Sequence, residues 1–245
     1  MEDREYLLID RVEDTMWWFH AQRALMTETL RRHMADGHGP ILDAGCGTGG
    51  MTRYLRAAFP RAATFGIDIN PAAASRAREK SGSAVATGSV NGLPFREGAF
   101  AGMISGDIFY HKAVDPAAAA REAFRCLRPG GVFVITVPAY AWLSSAHDER
   151  VHAARRYTRC SLAAVLKDAG FQVPYMTYWN TLLFPLMVLR RKVFVPANQE
   201  SDLKDFPPLL DRIFRGVMAV ELALLRTGLP LPFGGSVLAV GRKPE

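Results

Sequence analysis

Residues 43–50 read Asp-Ala-Gly-Cys-Gly-Thr-Gly-Gly and lie between a short apolar run and a segment with helical spacing. Glycines let the chain turn sharply there and let a ligand approach the backbone closely. The start of the following helix presents amide groups that bond no carbonyl within the helix. The run satisfies Gly-x-Gly-x-x-Gly through Gly45, Gly47 and Gly50. Asp68 follows at about the interval, roughly 20 residues, at which a carboxylate meets ribose hydroxyls. An ionised carboxylate only accepts, and it can engage two donors at once. A ligand containing a nucleoside is what this pattern serves. The glycines alone do not decide between a nicotinamide dinucleotide and another adenosine derivative. Asp68 also has a second reading, as a cap for a helix starting at Pro71. Asp43 has one as a carboxylate that stabilises the turn.

Two further stretches carry acid–base groups. Residues 105–112 read Ser-Gly-Asp-Ile-Phe-Tyr-His-Lys. His111 is the first candidate base, because imidazole titrates near neutrality, and Tyr110 and Asp107 are candidates for orienting a substrate. The second stretch contains Tyr140, Trp142, His147, Asp148, Glu149, Arg150, His152, Arg155, Arg156 and Tyr157. His147 is a further catalytic candidate. The composition suits an anionic or polyhydroxylated substrate, with arginine gripping a carboxylate or phosphate. His147, Asp148 and His152 are of metal-ligand type, and Asp148 and His152 would share a face if helical. The cluster reads equally as a solvated, ion-paired loop, and no metal is assigned.

These groups need a scaffold that brings several loops to one edge. Pro40 to Ala44, Ala63 to Ile67, Ser83 to Thr87, Phe100 to Ser105 and Val132 to Val137 read as strands. Met51 to Ala58, Pro71 to Lys80 and Pro116 to Leu127 read as the intervening helices. Proline opens two of these helices at a favoured position. Alternation of this kind implies βαβ units and a parallel sheet. Ser161 to Ala169 reads as a helix with Ser161 as its N-cap and Gly170 just past its end. Phe171 to Tyr178 and Ser236 to Val240 read as the last strands. Residues 5–34 read as one helical segment carrying the Trp17-Trp18-Phe19 cluster, either packed on the domain edge or lying over the ligand as a lid. The expected fold is α/β: a Rossmann-like, seven-stranded, mostly parallel sheet with helices on both faces. It forms one domain over 1–245, with an N-terminal helical cap over 1–36 and a helical insertion over 180–233 before the last strand.

Composition agrees with a folded chain. Of the 245 residues, 49% are hydrophobic and 22% charged, which excludes a disordered polypeptide. The net charge of +6 favours contact with anions. The basic residues are scattered among acidic ones and form no nucleic-acid stripe. Cys46, Cys126 and Cys160 are an odd, widely spaced set, so neither a disulfide framework nor a Cys-x-x-Cys pair is expected, and a reducing cytoplasm is. Met1 to Asp10 lacks a secretory apolar core. No apolar run reaches the roughly 18 to 20 residues that span a bilayer.

Three features favour S-adenosylmethionine over a dinucleotide. Asp43 lies two positions before the first glycine, and the run resembles the Asp/Glu-x-Gly-x-Gly-x-Gly motif of class I methyltransferases. Leu127-Arg128-Pro129-Gly130-Gly131 resembles the family's approach to strand five. Gly88-Ser89-Val90-Asn91-Gly92-Leu93-Pro94-Phe95 resembles its segment after strand three, which contacts adenine. The matches fall in the family's order, over roughly residues 38 to 178 and the final strand. They resemble most a methyltransferase type 11-like sequence. The resemblance implies cofactor contacts from Asp43, Gly45, Cys46, Gly47, Gly49, Asp68, Ile69, Ser89, Val90, Ser105 and Asp107. Asp43 would hold the methionine end and Asp68 the ribose. It also implies that the loop after strand four faces the methyl group, which is why His111 and Tyr110 are catalytic candidates. Two departures weaken the adenine contacts: position 89 is Ser where many members carry Asp, and Phe100-Ala101 replaces the frequent Phe-Asp.

The resemblance implies methylation of a small molecule such as a sugar, a lipid-linked intermediate or a secondary metabolite. In-line displacement at oxygen is preferred, and S-adenosylhomocysteine would be the product. The rivals are a non-catalytic sensor or scaffold that binds S-adenosylmethionine, and a nicotinamide-dependent reductase. Nucleic acid is not expected as a partner. Amino-methylating DNA enzymes of this fold carry Asn/Asp-Pro-Pro-aromatic where this chain has Gly-Asp-Ile-Phe, and no cysteine stands where a cytosine-C5 enzyme needs one. The insertion carries two apolar helices, about 180 to 194 and about 208 to 226, separated by a polar break from Asn198 to Asp205. Arg190-Arg191-Lys192 follows the first apolar run. Such helices must bury an apolar face. They would roof the pocket of an anionic or amphiphilic substrate, form a homodimer interface, or make peripheral contact with a membrane.

Overall fold

The computed structural model describes residues 3–34, 37–144, 152–192 and 206–245. The chain opens with helices α1 (Asp3–Val12) and α2 (Trp17–His33). It then alternates β1 (Ile41–Ala44), α3 (Gly50–Ala58), β2 (Thr64–Asp68), α4 (Pro71–Ser81), β3 (Ala84–Thr87), β4 (Phe100–Gly106), α5 (Pro116–Cys126) and β5 (Leu127–Pro138). α6 (Arg159–Asp168) and β6 (Gln172–Trp179) follow. α7 (Phe184–Lys192) and α8 (Pro208–Arg226) come before β7 (Ser236–Arg242). The sheet order is β3-β2-β1-β4-β5-β7-β6. β1 to β5 pair in parallel, and β7 runs antiparallel to both neighbours. This is the expected Rossmann-like α/β sheet.

Both faces of the sheet are covered. In β5, Val132 and Val134 face the core under α2 and α8, while Phe133, Ile135 and Val137 face the other core. A strand buried on both sides reads as the continuous apolar run seen in the sequence. The α4 and α5 starts follow from their caps. Asn70 Oδ1 accepts from the amides of Ala72 and Ala73, and Asp115 Oδ1 from those of Ala117 and Ala118; Pro71 and Pro116 come next in each case.

Four boundaries depart from expectation. Residues 5–34 form two helices, because the chain turns between Val12 and Trp17 and aims Glu13 at the start of α3. Thr158, not Ser161, caps α6; Ser161 is the third helical residue and closes a reciprocal capping box with it. β5 begins at Leu127, directly after α5, with a register shift between Phe100 and Gly102 on its partner strand. The first insertion helix starts at Phe184 rather than 180. Asn180 takes a positive φ of 58°, and the amides of Thr181 and Leu182 bond the buried Glu221 carboxylate of α8 at 2.8 and 2.9 Å. Asn198–Asp205, read as a polar break, lies outside the described residues. Among the described residues no helix is long and apolar enough to cross a membrane.

Candidate active site

The sheet order reverses between β1 and β4, and ligands of open α/β sheets bind at the carboxyl ends of strands at such a point. Those ends carry the glycine turn after β1, Asp68 closing β2, Asp107 after β4 and Ala139 after β5. A cavity of about 630 Å³ lies over them. Its lining includes Asp43, Gly45, Cys46, Gly47, Asp68, Ile69, Ser89, Val90, Asp107, Tyr110 and His111. Gly45 has φ +83°, and an added Cβ would fall 2.3 Å from Ile108 Cγ1, so only glycine fits there.

Two expected cofactor contacts lie elsewhere. Gly49 sits where α3 meets α4: an added Cβ would fall 2.6 Å from the Ala77 Cα, so this glycine serves helix packing and does not line the cavity. Ser105 is fully buried between strands. Its hydroxyl donates to the Ala44 carbonyl at 3.0 Å, and it too is absent from the lining. His147, with Asp148, Glu149 and Arg150, lies outside the described residues. His152 is exposed. Among the described residues no group of three His, Cys, Asp or Glu could hold a metal.

The carboxylates of the site differ in their environments. Asp68 accepts from the Gly47 amide at 2.9 Å, the Asn70 amide at 2.9 Å and the Tyr6 hydroxyl at 3.0 Å. It therefore ties the glycine turn to the end of β2. Asp43 accepts from the Thr52 hydroxyl at 2.6 Å. Burial pushes its carboxyl up to about 7; the charges of Asp68 and Glu13 act the same way, against the Thr52 hydrogen bond. Asp107 is half-buried, with φ +50°, a backbone that non-glycine residues adopt at a cost of roughly 1–3 kcal/mol. Gln22 Nε2 donates to its Oδ2 at 2.6 Å, and its Oδ1 has no hydrogen-bond partner. Burial pushes this carboxyl up to about 7 against the Gln22 bond and the Arg156 charge. The His111 ring stacks on Tyr110 with centroids 4.2 Å apart.

Four contributors from the N-terminal helices and the turn between them were not singled out in the sequence. Tyr6 reaches Asp68, and Gln22 reaches Asp107. Glu13 accepts from the Thr48 hydroxyl at 2.6 Å, the Gly50 amide at 3.1 Å and Lys80 Nζ at 2.6 Å. It supplies the carboxylate that the start of α3 favours. Arg23 is buried and lines the cavity, with its Nη1 lacking a hydrogen-bond partner and lying 3.9 Å from Asp14. The available signal was Gln22 and Arg23 standing polar inside an apolar helical stretch.

The rest of the cavity is a chamber built from helices. Trp17 stands edge-on to Phe214 and Phe206, with centroids 5.4 and 6.4 Å apart, and Leu183, Leu186, Met187 and Leu210 complete the apolar lining. Arg156, Arg190 and Arg191 also line it. Arg155, expected with Arg156 to grip an anion, instead donates from Nη1 to the carbonyls of Phe109, His111 and Val114. It braces the loop after β4, as does the Tyr157 hydroxyl on Phe109 at 2.9 Å.

Comparison with known proteins gives a consistent setting. Residues 42–135 match the Methyltransf_11 family, described as a methyltransferase domain. The chain is 29% identical over 169 residues to 24-methylenesterol C-methyltransferase 2 of Oryza sativa subsp. japonica, covering 58% of this chain and 46% of that one. It is 29% identical over 170 residues to malonyl-[acyl-carrier protein] O-methyltransferase of Geobacter sulfurreducens, covering 62% and 63%. The chain spans about half the length of the curated relatives it matches. Its fold is shared with a chain from the complex between the Haloferax volcanii Trm112 methyltransferase activator and a methyltransferase. That likeness has a TM-score of 0.63 and 23% identity over 99% of this chain and 95% of that one.

Proposed function

We propose, from the premise that the chain belongs to the class I S-adenosylmethionine-dependent methyltransferases, that it methylates a small molecule seated in the helical chamber, at an oxygen. The observation that carries this reading is the continuity of one cavity from the glycine turn, past Asp107, into the chamber. The residues present fit the cofactor. Gly45 and Gly47 bring backbone to the cavity wall, and Asp68 offers acceptors suited to ribose hydroxyls. The guanidinium of Arg23, which lines the cavity, suits the amino-acid carboxylate. Asp43, Asp68 and Asp107 give that wall the sign that suits a sulfonium. When bound, S-adenosylmethionine supplies an electrophilic methyl group.

The remaining work is positioning and proton removal. Asp107 takes the acceptor's proton, while Gln22 fixes its Oδ2. A carboxyl held near neutrality suits that role better than an ordinary one. His111, stacked on Tyr110, orients the acceptor and is the second base candidate. The named relatives methylate both carbon and oxygen; oxygen is preferred here because a base stands beside the cavity. Calorimetric titration with S-adenosylmethionine, S-adenosylhomocysteine and NAD tests the cofactor, and labelled methyl transfer into a metabolite extract tests the reaction. Tight NAD binding without S-adenosylmethionine binding refutes the proposal, and so does cofactor binding with no labelled small molecule.

A further inference from the structure

The outer face of α8 is apolar. A surface helix ordinarily turns charged and polar residues to water. Here every exposed position from Ile213 to Leu224 is apolar or small: Ile213, Gly216, Ala219, Val220, Ala223 and Leu224. Ile213 and Val220 are more than half exposed, at 51% and 57%. Spacings of three and four residues put these positions in one stripe along the helix. The exposed positions of α7 and the turn before it repeat the pattern: Leu182, Pro185, Leu186 and Leu189, then Lys192. Glu221 holds the Thr181 and Leu182 amides, which brings the start of this second run beside the middle of α8. Leu186 belongs both to this surface and to the cavity lining. Single exposed hydrophobic residues are ordinary, whereas a contiguous apolar stripe marks an interaction surface.

The exposed charges beside this surface have one sign. α7 carries no acid, and α8 carries two that are already engaged. Glu221 is fully buried, and Asp211 accepts from the Trp17 amide at 2.7 Å and from Arg215 Nε at 2.5 Å. The exposed charges of α8 are Arg212 and Arg226, one at each end of the apolar stripe, and the exposed Lys192 ends α7. An apolar helix face bordered by basic residues is the make-up of a helix lying in a membrane interface. A second copy of the chain fits this face less well. Ala219 lies midway between Arg212 and Arg226, so antiparallel pairing of two α8 helices about the centre of the stripe sets Arg212 of one copy against Arg226 of the other. Parallel pairing sets each arginine against its own equivalent. We infer that the exposed faces of α7 and α8 dock on an anionic lipid surface. The helices lie along it without crossing, since among the described residues none is long and apolar enough to span a bilayer. Docked in this way, the chamber has one wall, at Leu186, beside lipid. The inference concerns binding and stands apart from the methyltransferase reading.

The test is sedimentation of the full chain with vesicles of phosphatidylcholine alone and of phosphatidylcholine mixed equally with phosphatidylglycerol. The mixture is expected to bind at least about tenfold more tightly, because anionic lipid attracts the bordering cations. The double variant V220Q/L224Q is expected to lose about tenfold in affinity for the mixture. It should keep the parent's melting temperature, since both positions face solvent. R212Q/R226Q is expected to reduce the preference for the mixture and to flatten its salt dependence. Both variants should bind S-adenosylhomocysteine as the parent does in calorimetry, which separates lost docking from a damaged cavity. Sedimentation with neither vesicle, or equal sedimentation of the parent and V220Q/L224Q, overturns the inference. So does a dimer in analytical ultracentrifugation that V220Q/L224Q dissociates and that binds no vesicle, which would give the face to a second copy. Vesicle docking by a chain that binds no S-adenosylhomocysteine supports the surface and overturns the cofactor reading alone.

Discussion

The cofactor cradle and the helical chamber share one cavity but are built differently. The cradle is made of strand ends and the turns that leave them, and its key contacts are to backbone: Asp68 on the Gly47 and Asn70 amides, Glu13 on the Gly50 amide. The chamber is made of side chains on helices far apart in sequence. They are joined by bonds such as the Trp17 amide to Asp211 Oδ1 at 2.7 Å and the Glu221 carboxylate to the amides of Thr181 and Leu182. Backbone geometry at a parallel-strand end is set by the sheet and tolerates little change. A helical roof can change its lining residue by residue while the sheet stays the same. The difference teaches that, on the proposed reading, the choice of cofactor and the choice of substrate are separable, with Asp107 on the border between them.

The largest expected effect tests that border. Asp107→Asn should lower methyl transfer by roughly 10²–10⁴-fold if its carboxylate is the base, with S-adenosylhomocysteine affinity nearly kept in calorimetry. Unchanged transfer would move the base to His111 and return Asp107 to the cradle. Next comes the cradle itself: Asp68→Ala should weaken S-adenosylhomocysteine by about tenfold or more in calorimetry. An affinity equal to the parent's would take Asp68 out of the cradle.

On the chamber side, Glu221→Ala leaves the Thr181 and Leu182 amides without their acceptor. It should cost about 1–3 kcal/mol in urea unfolding and change S-adenosylhomocysteine affinity little. A variant as stable as the parent would show that Glu221 does not hold the roof.

The last effect is in pH dependence. Burial raises the Asp43 carboxyl to about 7, so the folded chain holds that proton more tightly than the unfolded chain does. Its contribution to stability is therefore full at acid pH and falls as pH rises from the ordinary carboxylate range through about 7. Asp43→Asn, which can still accept from Thr52, should gain about 2–3 kcal/mol on the parent between about pH 5 and about pH 8. Parallel melting curves for the two proteins at both pH values would contradict this.

Much of the cradle was legible because its signals are local. A strand, a glycine turn and a helix start follow each other within ten residues, and caps such as Asn70 and Asp115 act on amides two or three positions away. Ser105 and Gly49 stand beside the motif without lining the cavity: β4 turns Ser105 toward the Ala44 carbonyl, and α4 packs against Gly49. Tyr6, Glu13 and Gln22 went unread because their partners lie between 35 and 85 residues away, and helical periodicity reports burial without saying against what. Arg155 and Arg156 are adjacent and identical in type. Only packing separates the one that braces a loop from the one that lines the cavity.

The amino-acid sequence by itself determined a mostly parallel α/β sheet with a glycine turn after its first strand, since hydrophobic period, glycine and capping act over a few neighbouring residues. Tertiary structure alone decided that two N-terminal helices reach the cradle, that one half-buried aspartate keeps an oxygen without a hydrogen-bond partner, and that an insertion helix lines the cavity with both apolar and cationic side chains. Those features depend on which distant surfaces meet, and that is set by packing the whole chain at once.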